Sequence, residues 1–199
     1  MLKTLATICI IGMFTSSCTS KKASRTEGSH EAEQDLTMIV GTYTSGDSKG
    51  LYSFRFNEEN GTATALSEAE VENPSYLVPS ADGKFIYAVS EFSNEQAAAN
   101  AFAFNKEEGT FRLLNTQKTG GEDPCYIITN GSNVVTANYS GGSISVFPID
   151  KDGSLLPASE VVKFKGSGAD KERQEKPHLH CVRITPDGKY LFADDLGTD

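Results

Sequence analysis

The chain has 199 residues, 38% of them hydrophobic and 23% charged, enough for one sizeable core or two small ones. Its net charge of −9 repels phosphate backbones, which excludes nucleic acid as a partner, and no general basic patch for anions is visible. Gly is frequent at 18 and Trp is absent, while Val, Ile, Thr, Tyr and Phe cluster in short runs broken by Gly, Asn, Asp and Pro, the pattern of an all-β chain of many short strands.

Residues 1–17 carry one early positive charge at Lys3, an apolar run ending at Phe14, and then small residues. The run is shorter than the roughly 20 residues a spanning helix needs, so it reads as a secretory leader. Its end, Thr15-Ser16-Ser17-Cys18, resembles the lipobox of bacterial lipoproteins, with Thr15 where Leu is usual. Cys18 is therefore the expected lipidation site, and the protein is expected on the cell envelope of a bacterium, touching membrane only through that N-terminal lipid anchor. The plainer alternative is a signal peptide with an incidental cysteine. Cleavage would remove Lys3 and no acid, taking the net charge from −9 to −10. Residues 18–36 are polar and read as a flexible tether that includes His30, a bystander. The folded domain is expected over residues 37–199.

That domain opens with a strand from Met38 to Tyr43, a Gly-rich turn, and an alternating strand from Leu51 to Phe56. A hairpin-type turn follows at residues 57–61. The chain then repeats itself. Asn73-Pro-Ser-Tyr-Leu-Val78 precedes an Asp82-Gly83 turn and the strand ending at Val89. Asp123-Pro-Cys-Tyr-Ile-Ile128 precedes Val134–Ala137. Pro177-His-Leu-His-Cys-Val182 precedes the Pro186-Asp187-Gly188 turn and the strand ending at Ala193. Pro74 and Pro124 are 50 residues apart and Gly83 and Gly188 are 105 apart, so the period is about 50. Each unit has room for four strands, with outer pairs at Ala101–Phe104 with Phe111–Leu114, and at Ser143–Phe147 with Leu155–Leu156.

Four strands per 40 to 50 residues is the sequence form of a β-propeller, because a four-stranded blade cannot bury both faces alone and must stack against its neighbours. A two-sheet sandwich would leave the repeated spacing unexplained. The count gives an N-terminal fragment of about three to four blades. Aligning the units puts Ser75, Cys125 and His180 in one column at the start of an inner strand, near a mouth of the channel. His180 thus stands where its siblings carry smaller groups. Cys125 and Cys181 fall in neighbouring but unequal columns, which argues against a disulfide. A metal site from His178, His180 and Asp194 or Asp195 is conceivable, since residues two apart on a strand share a face, but the expectation is no metal and no cofactor.

Val40-Gly-Thr-Tyr-Thr44, Asn73-Pro-Ser-Tyr76, Glu91-Phe-Ser93, the run from Ala137 to Pro148, and His178-Leu-His180 with Pro186-Asp-Gly188 together resemble the propeller lactonase family. That family includes one type of 6-phosphogluconolactonase and the carboxymuconate cyclases. The resemblance covers about Met38 to Asp199. It implies a seven-bladed propeller of nearly twice this length that works on lactones without a metal or cofactor. By position it assigns His180 as the active-site histidine; His178, its neighbour at the same mouth, and Glu91, in a Ser-Glu-Phe motif of an earlier blade, are the expected substrate-binding residues. It pairs His180 with an arginine and a glutamate from a later blade, and the glutamate's role does not transfer to Glu91.

The residue types fit the chemistry. Imidazoles titrate near neutrality, so one can take a proton from water and return it to a leaving alkoxide, while a cation stabilises the oxyanion. The expectation is hydrolysis of a sugar lactone to the aldonic acid, with residues 1–199 alone inactive for want of the arginine. The alternative is a non-catalytic exported propeller that binds glycans or a protein partner.

Overall fold

The computed structural model describes residues 36–198. The leader, Cys18, His30 and all of the tether except Leu36 lie outside the described residues. Leu36 itself opens the first strand, opposite Phe56.

Among the described residues there are thirteen strands, and every pairing is antiparallel between chain neighbours. The first sheet is β1 (Leu36–Gly41), β2 (Gly50–Phe56) and β3 (Ala63–Glu70). The second holds β4 (Leu77–Pro79), β5 (Phe85–Ser90), β6 (Ala98–Asn105) and β7 (Thr110–Lys118). The third holds β8 (Pro124–Thr129), β9 (Asn133–Asn138), β10 (Ser143–Pro148) and β11 (Glu160–Lys163), and the fourth pairs β12 (Leu179–Ile184) with β13 (Leu191–Asp195). The repeat turns are built alike. Gly83 and Gly188 sit at φ 70° and 71°, a left-handed conformation that glycine adopts without a Cβ penalty. In each, the preceding aspartate accepts the backbone N–H of the lysine that follows, at 3.1 Å.

Each sheet packs on the next, so an inner strand is apolar on both faces. Along β5, Ile86 and Ala88 meet Leu51 of the first sheet, while Tyr87 and Val89 meet Ile127, Val134 and Phe147 of the third. Along β8, Ile127 points back to the second sheet and Tyr126 forward to Leu179 and Val182 of the fourth. β12 lies against β8 and β9, and β8 against β4 and β5. This serial face-to-face stacking is the blade arrangement of a propeller, and it differs from a sandwich, where each sheet would leave one face in solvent.

Two elements differ from the sequence expectation. The strand β3 was not foreseen, because its run is mostly Ala, Ser and Glu, with Thr64 its one β-branched residue and no aromatic to mark a strand. The outer strand of the third sheet is β11, not Leu155–Leu156. Leu155 is buried, makes a single bridge to Ile149, and is bound sideways to β7. Its N–H donates to Asn115 Oδ1 at 3.0 Å, and its carbonyl accepts from Asn115 Nδ2 at 2.7 Å and Gln117 Nε2 at 2.9 Å. Pro157, two residues on, has no N–H to extend a ladder there.

Candidate active site

The inner strands share an irregularity that decides where their side chains go. In β8, Pro124 faces Asn138 and Tyr126 faces Ala137, so Cys125 is an extra residue with no cross-strand partner. In β12, Leu179 faces Asp195 and Cys181 faces Asp194, which makes His180 the extra residue. Before β4 the Asn73 carbonyl takes the Glu91 N–H and the Tyr76 carbonyl takes the Val89 N–H, four residues against three, again one extra on the inner side, with Ser75 left over. Such bulges release a side chain from the pleat and re-aim it. Ser75, Cys125 and His180 all turn into one cavity of about 400 Å³, within the size range of small-molecule sites.

A second column completes the wall. Glu91, Tyr139 and Leu196 each donate a backbone N–H to the carbonyl of Asn73, Asp123 or His178, at 3.1, 2.8 and 2.9 Å, and all three line the cavity. Tyr43, from the β1–β2 turn, and Arg173, from the segment before β12, close the sides. One oxygen of Glu91, Oε2, accepts hydrogen bonds from Tyr43 Oη at 2.9 Å and from Ser75 Oγ. Partial desolvation of this largely exposed side chain, followed by the hydrogen bond to Glu91, pushes the Tyr43 phenol above its ordinary range. At the other end the Tyr139 ring meets the exposed His180 ring edge-on at 6.0 Å, and the Arg173 guanidinium makes a long 3.5 Å contact with Tyr139 Oη. Asp170 shapes the turn that presents Arg173, its Oδ1 accepting the N–H groups of Glu172 and Arg173.

Tyr139 is held from beneath. Its chain neighbour Asn138 is fully buried, accepts from Thr136 Oγ1 at 2.9 Å and donates to Ser143 and Ser145 at 3.0 and 2.8 Å. A saturated buried network of this kind fixes the backbone that carries the cavity residue.

Cys125 occupies the middle of the first column, and its thiol approaches the carbonyls of Leu179 and His180 at 3.7 Å. Burial, helped by the charge of Glu91, pushes this thiol up to about 12. At pH 8 roughly one molecule in 10⁴ carries the thiolate that nucleophilic attack requires. Cys125 is therefore expected to resist alkylation by iodoacetamide at pH 8 in the folded protein and to react fully once the chain is unfolded. Labelling of native Cys125 at the rate of a free cysteine, read by peptide mass, would contradict this. Both Cys125 and Cys181 are free.

His178 does not line the cavity. It takes the place that Asn73 and Asp123 hold in the preceding repeats, where Asn73 Oδ1 accepts the N–H and hydroxyl of Thr44 and Asp123 Oδ1 accepts the hydroxyl of Ser93. Those contacts brace the loop of the preceding sheet, and His178 does the same by stacking its ring on Tyr139, centroids 4.5 Å apart. It is buried, with Nε2 3.3 Å from Glu175 Oε1. The rule that residues two apart on a strand share a face fails for His178 and His180 because the first precedes β12 and the second is its bulge. Asp195 is also engaged: its Oδ1 accepts the N–H groups of His178 and Gly197, at 2.7 and 2.8 Å. Among the described residues no group of three or more His, Cys, Asp or Glu has the arrangement to hold a metal ion.

Sequence reasoning missed Arg173, Tyr139, Tyr43 and Leu196 as wall residues. Tyr139 and Leu196 had a usable signal, since they repeat the register of Glu91 at the ends of β9 and β13. Arg173 had none, because the segment that carries it is outside the repeat.

Residues 37–199 match the family model described as a lactonase, seven-bladed β-propeller. The chain belongs to this lactonase family. The 6-phosphogluconolactonase of Bacillus subtilis is 39% identical over 166 residues, covering 80% of this chain and 46% of the relative. Among solved structures, a candidate 6-phosphogluconolactonase of Bacteroides fragilis is 73% identical, with a TM-score of 0.83 over 85% of this chain and 48% of that one. A periplasmic gluconolactonase of Pseudomonas aeruginosa is 32% identical, with a TM-score of 0.76 over 82% and 48%. The chain thus spans about half the length of the relatives it matches.

Proposed function

We propose that this lactonase half-propeller carries the general base of a sugar-lactone hydrolase, with His180 as that base. The observation that carries the reading is the bulge at His180, which delivers an exposed imidazole into a cavity that also holds a guanidinium and a carboxylate. A water held by His180 gives up its proton to the ring as its oxygen attacks the lactone carbonyl. The acyl–oxygen bond of the ring then breaks, and the same proton passes to the leaving alkoxide, giving the hydroxy acid. Arg173, at the His180 end, supplies positive charge for the developing oxyanion. The names of the relatives support the activity, and the leader-like first 17 residues, with a periplasmic relative, support export with a lipid on Cys18.

The test is proton release at pH 7 from glucono-, galactono- and 6-phosphogluconolactone, above spontaneous hydrolysis, with protein of the full family length. Release from at least one lactone is expected. None from any, together with saturable binding of an oligosaccharide, would replace the enzyme by a glycan-binding module, for which the exposed Tyr43 ring is the supporting feature.

A further inference from the structure

The cavity has a charge axis. The inner-strand columns advance one sheet at a time, from Ser75 and Glu91 on the second sheet, past Cys125 and Tyr139 on the third, to His180 on the fourth. The carboxylate of Glu91 and the imidazole of His180 are therefore two sheets apart, with Arg173 beside the latter. The field of Glu91 extends along this axis, since it helps raise the Cys125 thiol on the next sheet. Tyr43 and Ser75 both spend their hydroxyl protons on Oε2 of Glu91, so that end presents a carboxylate and no cation among its described lining residues.

We infer that this axis orients a lactone with its carbonyl at His180 and Arg173 and its hydroxyl-bearing tail at Glu91, and so selects lactones that lack a phosphate on the distal hydroxyl. The inference rests on the hydrolase reading and adds the substrate class. Sugar hydroxyls donate to a carboxylate, whereas a phosphate dianion there meets like charge with no counter-cation among the described residues of that end, and repulsion of this kind discriminates between substrates that share every other contact.

Gluconolactone and 6-phosphogluconolactone differ only in that group, so their kcat/KM ratio, measured on protein of the full family length, reads the effect. The ratio is expected to favour the unphosphorylated lactone at least tenfold. Glu91→Gln keeps the shape and an acceptor oxygen but removes the charge, and it is expected to narrow the ratio severalfold through a lower KM for the phosphorylated lactone. Arg173→Gln is expected to lower kcat/KM for both lactones by the same factor, because both carry the carbonyl. A wild-type preference for the phosphorylated lactone, an unchanged ratio in Glu91→Gln, or a loss in Arg173→Gln confined to the phosphorylated lactone each overturns the inference while leaving the hydrolase reading intact. Turnover of neither lactone by wild type sinks both.

Discussion

Replacing His180 by alanine is expected to lower kcat for lactone hydrolysis by about 10² to 10⁴, the usual contribution of a positioned general base. KM should change little, because the imidazole is asked to act on water and on the leaving oxygen and not to hold the sugar. Stability should move by no more than about 0.5 kcal/mol, since His180 is exposed and has no cross-strand partner at its bulge. This combination separates a chemical role from a structural one. Wild-type turnover by His180→Ala would remove the residue from the mechanism, and an equal loss of folding stability would reassign it to the scaffold.

Phe147→Ala is expected to destabilise the folded body by about 3–5 kcal/mol, the range for deleting a fully buried aromatic ring. Phe147 is 0% exposed and packs with Tyr87, Val89, Ile127 and Val134 at the junction of the second and third sheets. The neighbours have little freedom to collapse into the space, because Tyr87, Val89 and Val134 are anchored in strands that are paired on both sides. Domains are stable by only about 5–15 kcal/mol, so the loss is a large fraction of the total. A urea titration should show a lower midpoint with an unchanged slope. A shift worth less than about 1 kcal/mol would mean that the junction is looser than its burial implies.

The sequence made the blades legible because their signal is redundant. The same turn, with an aspartate capping the following lysine N–H, occurs at Gly83 and Gly188, and the two-sided apolar strands recur at a fixed spacing. The column of Ser75, Cys125 and His180 was legible for the same reason. The bulges beneath it were not, because an extra residue in a strand leaves no mark in composition. That gap misplaced His178, whose buried ring braces Tyr139 while its neighbour but one faces the cavity. Arg173 was illegible on different grounds. The segment from residue 164 to 178 follows no strand period, and its path is set by Asp170 capping its own turn and by Lys176 reaching the Ser140 carbonyl at 2.9 Å.

An unpaired position at the head of each inner strand works as a socket. Its occupant faces no ladder partner across the strands, so Ser, Cys and His fill three successive sockets of one scaffold without altering the sheets around them. Rebuilding the reactivity of this mouth is then a matter of re-equipping sockets. A histidine placed at position 75 would set a second base beside Glu91 while leaving every strand pairing where it stands.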